Sequence, residues 1–260
     1  MDLIQIMKPR QYLLKETNWK KVKSTDYDVA ILPWGATEAH NYHLPYGTDI
    51  YETEVIAENA AKIAWDKGAK VIVLPAIPFG VNTQQLDIKL TINMNPSTQM
   101  SILKDVIDSL EKQGIEKLVV LNGHGGNNFR QMIRELQKDS SLFLSTINWF
   151  DIVNLDDFFD EGGDHANEME TSFMLHSFPD LVLPLEEAGE GKAKTFKIKA
   201  FKEKWAWTPR EWTKVTEDTG IGNPKYATSA KGEKFVNFVS EKIAQFFVEL
   251  SEADISNMYE

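Results

Sequence analysis

Short apolar segments alternate with longer amphipathic ones along the first 150 residues, and this alternation is the feature that most restricts the fold. The apolar segments are rich in Val, Ile and Leu and cover residues 29–33, 70–75, 117–121 and 142–149. Segments of this length and composition predict buried strands, and the stretches between them have the apolar spacing of helices. Repeated alternation of this kind predicts a mostly parallel sheet covered by helices on both faces.

Residues typical of helix ends support these boundaries. Asn95-Pro96 is a favourable start for the helix that ends at Gly114, since proline is preferred at the first helical position and glycine just after the last. The loop over residues 76–94 is longer than most connections, and such loops are often functional. Further helices are expected over residues 50–67, 129–138, 168–177 and 230–250.

The length of 260 residues fits one α/β domain, and we expect a single domain over residues 1–260. Residues 1–27 are polar and are expected to form an N-terminal extension with one short helix. Residues 181–229 contain scattered glycine, tryptophan and lysine. We expect them to form an excursion of loops and hairpins near the functional site.

Charge and composition exclude several classes of protein. The chain has 28 basic and 39 acidic residues, a net charge of −11, whereas nucleic-acid surfaces need concentrated Lys and Arg. The same charge opposes docking on anionic membranes. The absence of cysteine excludes disulfides, thiolate zinc sites and a cysteine nucleophile. With neither a signal-peptide pattern nor an apolar run near roughly 18 residues, we expect a cytoplasmic enzyme without nucleic-acid or membrane partners.

A dense cluster of potential metal ligands follows the first predicted strand. The stretch Trp34–Asp49 contains Glu38, His40, His43 and Asp49. Carboxylates beside imidazoles favour Zn²⁺, Mn²⁺ or Fe²⁺ over Mg²⁺ or Ca²⁺. Polar residues at the end of a parallel strand lie where α/β enzymes bind their ligands.

Two further histidines follow other predicted strands. His124 lies in a glycine-rich turn that Asn122 and Asn127 are expected to hold, and His165 follows the fourth strand and an acidic loop. Because the carboxyl ends of parallel strands open at one sheet edge, these histidines are expected to meet the first cluster there. The combined set exceeds the three protein ligands of one catalytic zinc. It fits two ions about 3.5–4 Å apart that share a carboxylate.

Several segments resemble the motifs of the creatininase family. They are G-A-T-E-A-H-N-Y-H-L-P-Y-G-T-D over residues 35–49, N-G-H-G-G-N over 122–127, H-A-N-E-M-E-T-S over 165–172 and G-I-G-N-P over 220–224. The resemblance extends from about residue 30 to about residue 232. It implies a three-layer α/β/α sandwich and a homo-oligomer, commonly a hexamer. It also implies two divalent ions per subunit, with Zn²⁺ as first choice and Mn²⁺ or Fe²⁺ as alternatives.

The resemblance further implies which residues hold the ions. One ion would be held by Glu38, Asp49 and His124, and the other by His40, the bridging Asp49 and one more carboxylate. Creatininase itself has that carboxylate, a glutamate, at the position of Gly126. We therefore assign the last ligand to Glu170, and we also include Glu170 among the catalytic residues.

The function implied is that of a metal-dependent amidohydrolase that cleaves a non-peptide C–N bond in a cyclic or small amide. A hydroxide activated by both ions would attack the carbonyl carbon. His165 would act as acid/base and protonate the departing nitrogen, because imidazole exchanges protons near neutral pH. Asp164 is expected to orient His165 because the two are adjacent.

The motifs do not specify the substrate. Asn41-Tyr42 and Gly125-Gly126 depart from creatininase itself beside the ions, which makes creatinine a poor specific choice. Relatives hydrolyse formamide-type compounds, modified peptides or keto-inositols and related sugars, and each is an alternative. A metal- or sugar-binding module without turnover is the alternative from another class. A single-zinc peptidase is disfavoured because the chain lacks H-E-x-x-H.

Four residues near the expected site have no assigned role. His43 is balanced among a substrate contact, a contact behind the ligands and a structural hydrogen bond. Trp205, Trp207 and Trp212 either line the substrate pocket or cover the sheet edge or an oligomer contact, and we favour the covering role.

Overall fold

Parallel strands form the centre of the molecule. The computed structural model describes residues 9–260, so residues 1–8 of the expected N-terminal extension lie outside the described part. The strands are β1 (Val29–Trp34), β2 (Val71–Val73), β3 (Lys117–Asn122) and β4 (Phe143–Asn148). Their order in the sheet is β2-β1-β3-β4, and every neighbouring pair is parallel. All four strands agree with the sequence prediction.

Helices cover the two faces of this sheet. They are α1 (Trp19–Val22), α2 (Thr48–Asp66), α3 (Pro96–Lys112), α4 (Phe129–Gln137), α5 (Glu168–Ser177), α6 (Lys199–Lys202), α7 (Trp212–Val215) and α8 (Ser229–Glu252). Within residues 9–260, none of these helices is both long enough and apolar enough to cross a membrane. The long helices begin and end within a few residues of their predicted boundaries.

Alternate residues of the strands face opposite sides of the sheet, which produces three layers. Ile31 of β1 packs in one apolar cluster with Ile56 of α2 and with residues of α5 and α8. Its neighbour Leu32 packs in a second cluster with Leu103 of α3 and with residues of α4. Burial of one such side chain contributes about 1.5–3 kcal/mol to stability. The predicted α/β class and its three-layer α/β/α arrangement are confirmed.

The segment over residues 181–229 differs from the prediction in its local structure. All of its residues are described, and it contains turns and the short helices α6 and α7 but no β-hairpin. Phe196, Ile198 and Ala200 alternate with lysines in the sequence, but Ile198 is 59% exposed, so this alternation does not cover a face of the sheet. The backbone groups of the segment instead bond across loops, as in the hydrogen bonds from Gly222 N to Gly191 O and from Leu183 N to His43 O.

Candidate metal centre

The loop between β1 and α2 carries two predicted ligands, and the first turn of α2 carries a third. Glu38 and His40 lie on the loop, and Asp49 is the second residue of α2. All three side chains are buried. The N-terminus of a helix has a partial positive charge, which favours the carboxylate of Asp49 at this position.

The turn after β3 brings His124 to the same edge of the sheet. The side-chain amide of Asn122 donates to the carbonyl of His124 at 2.9 Å, and Asn127 donates to Asn122 Oδ1 at 3.0 Å. Asn127 Oδ1 in turn accepts from Val81 N at 3.0 Å. The two asparagines therefore hold the turn, as the sequence predicted, and also fix it to the loop before α3.

The N-terminus of α5 supplies the remaining predicted residues. Asn167 caps this helix, and its side chain accepts hydrogen bonds from the backbone of Met169 and Glu170. His165 lies just before the cap and pairs through its backbone with Ile221, whose N–H donates to the carbonyl of His165 at 2.8 Å. The C-terminal G-I-G-N-P segment thus holds the loop that carries His165.

Distances among these side chains define a single compact centre. Asp49 Oδ1 is 2.9 Å from His40 Nε2, and Asp49 Oδ2 is 2.9 Å from His124 Nδ1. Glu38 Oε1 is 2.9 Å from His124 Nδ1 and 3.8 Å from His165 Nδ1. The rings of His40 and His165 lie with their centroids 4.2 Å apart.

The side chains form overlapping groups whose donor atoms lie close enough to hold a cation. Within the described residues these groups are Glu38–Asp49–His124, His40–Asp49–Glu170 and Glu38–His40–His165. The first two share Asp49, and together they contain every predicted ligand. The third includes His165, which the sequence prediction did not count as a ligand.

In each of three histidines, one ring nitrogen bonds to a backbone carbonyl, which leaves the other nitrogen to act as a metal ligand. His40 Nδ1 lies 3.1 Å from Glu38 O, His124 Nε2 lies 3.1 Å from Val81 O, and His165 Nε2 lies 2.8 Å from Ala39 O. A nitrogen facing a carbonyl carries a hydrogen, so the opposite nitrogen, which faces the carboxylates, is the one that can bind a metal ion after releasing its own proton. This is the usual support for histidine metal ligands. The donor set therefore fits divalent transition metals.

Charges in the centre compensate one another. Burial lowers the pKa of His40, but the carboxylate of Asp49 outweighs it and raises that pKa to about 10. Burial also lowers the pKa of His124, but the carboxylates of Glu38 and Asp49 outweigh it and hold that pKa well above its usual value. Although burial raises it, the pKa of Asp49 is held below its usual range by His40 and His124. Without a metal ion, protonated imidazoles thus supply the positive charge that a cation would supply.

His165 is oriented differently from the prediction. The carboxylate of Asp164 faces Arg210, 3.1 Å away, rather than the imidazole. Adjacent side chains in this extended segment point in different directions, and the Ala39 carbonyl orients His165 instead. The indole of Trp212 packs edge-on against the His165 ring with centroids 5.2 Å apart.

The three tryptophans have different environments. Trp212 is 5% exposed, and its indole N–H donates to Thr219 O at 2.9 Å. Trp205 and Trp207 are 74% and 84% exposed. Trp212 is therefore buried against His165 at the centre, whereas Trp205 and Trp207 are largely exposed.

His43 and Asn41 support the centre from behind. His43 Nε2 lies 2.8 Å from Thr171 Oγ1, which links the first motif to α5, and burial followed by the charge of His40 lowers the pKa of His43 to about 4. The Asn41 amide bonds both backbone groups of Gly189, at 2.8 and 3.0 Å. Of the open roles of His43, the structure displays the structural hydrogen bond.

Two buried residues at this centre were missed by the sequence prediction. Gln85, in the long loop before α3, donates a side-chain hydrogen bond to Glu38 Oε2. Glu52 lies on α2 one turn after Asp49 and is fully buried. The unusual length of the loop over residues 76–94 was a signal that could have drawn attention to Gln85. The signal for Glu52 was a charged residue among the apolar positions of α2.

Comparison with known proteins identifies the family of this chain. A family model described as "Creatininase: Creatinine amidohydrolase" matches residues 15–247. The chain belongs to the creatininase family. It is thus a creatininase-family hydrolase, and the predicted resemblance is confirmed.

Relatives of this chain carry the names of several different hydrolases. Creatinine amidohydrolase of Pseudomonas putida is 26% identical over 256 residues, which cover 88% of this chain and 93% of that protein. A mycofactocin precursor peptide peptidase of Mycolicibacterium smegmatis is 25% identical and covers 84% of this chain and 85% of its own. A 3-dehydro-scyllo-inosose hydrolase of Thermotoga maritima is 28% identical over 168 residues, covering 60% of this chain and 52% of its own.

Solved structures in the creatininase family share this fold. A Bacteroides fragilis protein provisionally assigned as a creatinine amidohydrolase superposes with a TM-score of 0.91 at 45% identity, covering 98% of this chain and 100% of that one. A structure named "Creatininase Mn" superposes with a TM-score of 0.78 at 22% identity, covering 94% of this chain and 100% of that one. A Zn–Zn form of a creatininase variant gives 0.76 at 23% identity, with the same coverage.

Proposed function

We propose that this chain is an amidohydrolase with two divalent ions, which cleaves a non-peptide C–N bond in a cyclic or small amide. The position of Asp49 is the observation that carries this proposal. One carboxylate oxygen faces His40 and the other faces His124, so this residue belongs to both donor sets. A shared carboxylate between two such sets is the arrangement expected of a two-ion hydrolase.

The ligand assignment follows the two donor sets that share Asp49. Glu38, Asp49 and His124 would hold one ion, and His40, Asp49 and Glu170 would hold the other. Zn²⁺ is the first choice and Mn²⁺ or Fe²⁺ the alternatives, because carboxylate–imidazole sets suit these metals. The Zn–Zn and Mn forms among related structures support this choice. When bound, the ions supply polarisation of the carbonyl and activation of water.

The remaining residues of the centre bind, orient and transfer protons. His165 Nε2 is engaged by the Ala39 carbonyl, so Nδ1 is the atom that exchanges a proton with the departing nitrogen. Gln85 fixes the carboxylate of Glu38, and Trp212 covers the face of the centre next to His165. Glu170 acts at the second ion and lies beside His165 on the same loop and helix start.

The substrate is an amide, although creatinine itself is disfavoured because Asn41-Tyr42 and Gly125-Gly126 replace the residues of creatininase. Two relatives support alternatives: a modified peptide, as in the peptidase, or a keto-inositol or related sugar, as in the inosose hydrolase. A non-catalytic metal- or sugar-binding module is the alternative from another class. We also expect a homo-oligomer, as large as a hexamer, in the cytoplasm.

Metal analysis combined with a substrate panel tests the proposal. The protein should contain two ions per chain, and it should hydrolyse a lactam or N-formyl compound in a panel that also includes peptides and keto-inositols. Chelation should abolish turnover, and Zn²⁺ or Mn²⁺ should restore it. Turnover that survives exhaustive chelation would overturn the proposal. Tight ligand binding with at most one ion and no turnover would favour the module.

A further inference from the structure

Glu52 is a buried carboxyl group that the proposed mechanism does not use. It lies on α2 three residues after Asp49, and this spacing places both side chains on the same side of the helix. Its side chain is 0% exposed. Neither oxygen accepts a hydrogen bond from any residue between 9 and 260.

Another buried glutamate, Glu168, contrasts with the lack of hydrogen-bond partners at Glu52. Glu168 is also 0% exposed, but its carboxylate pairs with Lys231 and accepts hydrogen bonds from the N–H groups of Asp160 and Glu161, at 2.9 and 2.7 Å. Burial of a charged group without such partners is costly. The fold therefore provides partners for one buried glutamate and leaves the other without them.

The surroundings of Glu52 are negative. Burial raises the pKa of its carboxyl group well above the usual value, and the charges of Glu170 and Asp49 raise it further. No lysine, arginine or histidine of the described chain forms an ion pair with it. What this carboxyl group lacks is a cation located beside Glu170 and Asp49, where the second ion is proposed.

We propose that Glu52 is a fourth carboxylate of the metal centre and acts on the ion held by His40, Asp49 and Glu170. This inference rests on the proposed function. With Glu52 ionised, four carboxylates balance the charge of two divalent ions. In the assignment above the second ion has three protein ligands, His40, Asp49 and Glu170, and Glu52 lies one turn along α2 from Asp49.

Backbone packing explains why no carboxylate for the second ion can come from position 126. A Cβ atom at Gly126 would lie 2.3 Å from Val81 O and 2.4 Å from His124 Nε2. A glutamate at this position would displace the imidazole that it should accompany. A donor for the second ion therefore comes from the opposite side of the centre, where α2 and α5 face each other.

Metal titration of the purified chain tests the role of Glu52. Metal-free wild-type protein, Glu52→Gln and the control Glu54→Gln are titrated with Zn²⁺ and Mn²⁺, and bound metal is counted after dialysis. Glu54 is on the same helix but pairs with Lys15 at the surface. We expect the wild type and the control to bind two ions, and Glu52→Gln to bind the second ion about 10–100-fold more weakly. Glu52→Asp, which keeps the charge, should lose less affinity.

Thermal unfolding provides a readout that a purely structural role would not reproduce. In the metal-free protein, Glu52→Gln should raise the thermal unfolding midpoint above that of the wild type, since it removes a buried acid. In the metal-loaded protein, it should lower the thermal unfolding midpoint below that of the wild type. A structural role would shift both midpoints in the same direction. If Glu52→Gln binds two ions with unchanged affinities, the proposed role of Glu52 is wrong and the two-ion proposal is unaffected. Fewer than two ions in the wild type would overturn the two-ion proposal and this inference together.

Discussion

Nε2 of His40 lies 2.9 Å from Oδ1 of Asp49, and this pair joins the two halves of the candidate centre. The other oxygen of Asp49 faces His124 at the same distance. The loop after β1 and the turn after β3 meet at this carboxylate because neighbouring parallel strands end at the same edge of the sheet. A single side chain in the first turn of α2 thus connects ligands that are 84 positions apart in the chain.

Removal of the charge of Asp49 should empty both halves of the centre. Asp49→Asn keeps the shape but loses the anion that both imidazoles face, so we expect fewer than one ion per chain and no detectable turnover. Asp66→Asn, at the exposed end of the same helix, is the control and should retain wild-type metal content. Two ions in Asp49→Asn, measured by elemental analysis, would contradict the bridging role.

Two adjacent glycines in the turn after β3 provide a matched test of packing. A Cβ atom at Gly126 would collide with Val81 O and His124 Nε2, whereas nothing lies within 4 Å of a Cβ atom at Gly125. Gly126→Ala should therefore lower the free energy of unfolding by about 1–3 kcal/mol and weaken metal binding by displacing His124. Gly125→Ala should change neither. Denaturant unfolding and metal titration of both variants measure these effects. Equal stability and equal metal affinity of the two variants would contradict the close packing described at Gly126.

Much of this fold and the residues of both donor groups could be predicted from sequence, because most of the relevant signals are local. The strands are continuous apolar runs. Glu38, His40 and His124 follow strands whose ends coincide at one edge, and Asp49 lies in the first turn of the helix after β1. Glu170 is grouped with His40 and Asp49 because α5 begins at the same edge.

The remaining features depend on tertiary contacts that sequence spacing does not encode. Gln85 reaches Glu38 from a loop whose path is set by its packing against the turn after β3. Adjacency to His165 suggested a role for Asp164, but the backbone turns its carboxylate towards Arg210. The hairpins expected within residues 181–229 are absent because isolated hydrogen bonds, such as that from Lys194 N to Val215 O, join residues far apart in the segment and no two adjacent stretches pair along their length.

Gln85 should control the orientation of Glu38. Its side-chain N–H donates to Glu38 Oε2 in a buried environment, so the carboxylate presents its other oxygen towards His124. Gln85→Leu keeps the volume but removes the donor, and we expect metal affinity to fall about 10–100-fold. Gln84→Leu is the neighbouring control. Unchanged affinity in a chelator competition assay of Gln85→Leu would indicate that the hydrogen bond has no effect on the ion.

His165 is expected to transfer protons rather than hold an ion. His165→Gln should lower kcat by about 10²–10⁴-fold while the protein retains two ions per chain. His176→Gln, in the helix α5 that follows His165 but outside the centre, should have normal activity. Because His165 Nδ1 also lies 3.8 Å from Glu38 Oε1, a ligand role predicts a different result. Loss of one ion from His165→Gln would assign His165 to the metal and not to acid–base chemistry.

Metal affinity and metal-free stability should respond to pH in opposite directions. The pKa of His40 is raised from 6.5 to about 10 in the metal-free protein, so its pairing with Asp49 stabilises the fold fully below pH 6.5 and is lost as pH rises through about 10. A metal ion has to displace this proton, so metal affinity should increase over the same interval.

Calorimetry and unfolding measure the two trends in one protein. Metal titrations in buffers with different ionisation enthalpies should reveal proton release near pH 7, and the release should disappear above the pKa of His40. Denaturant unfolding of the chelated protein should give a falling free energy of unfolding as pH rises from 6.5 towards 10. Metal binding near pH 7 without proton release would mean that His40 is already neutral there, and the proposed competition between protons and metal would be wrong.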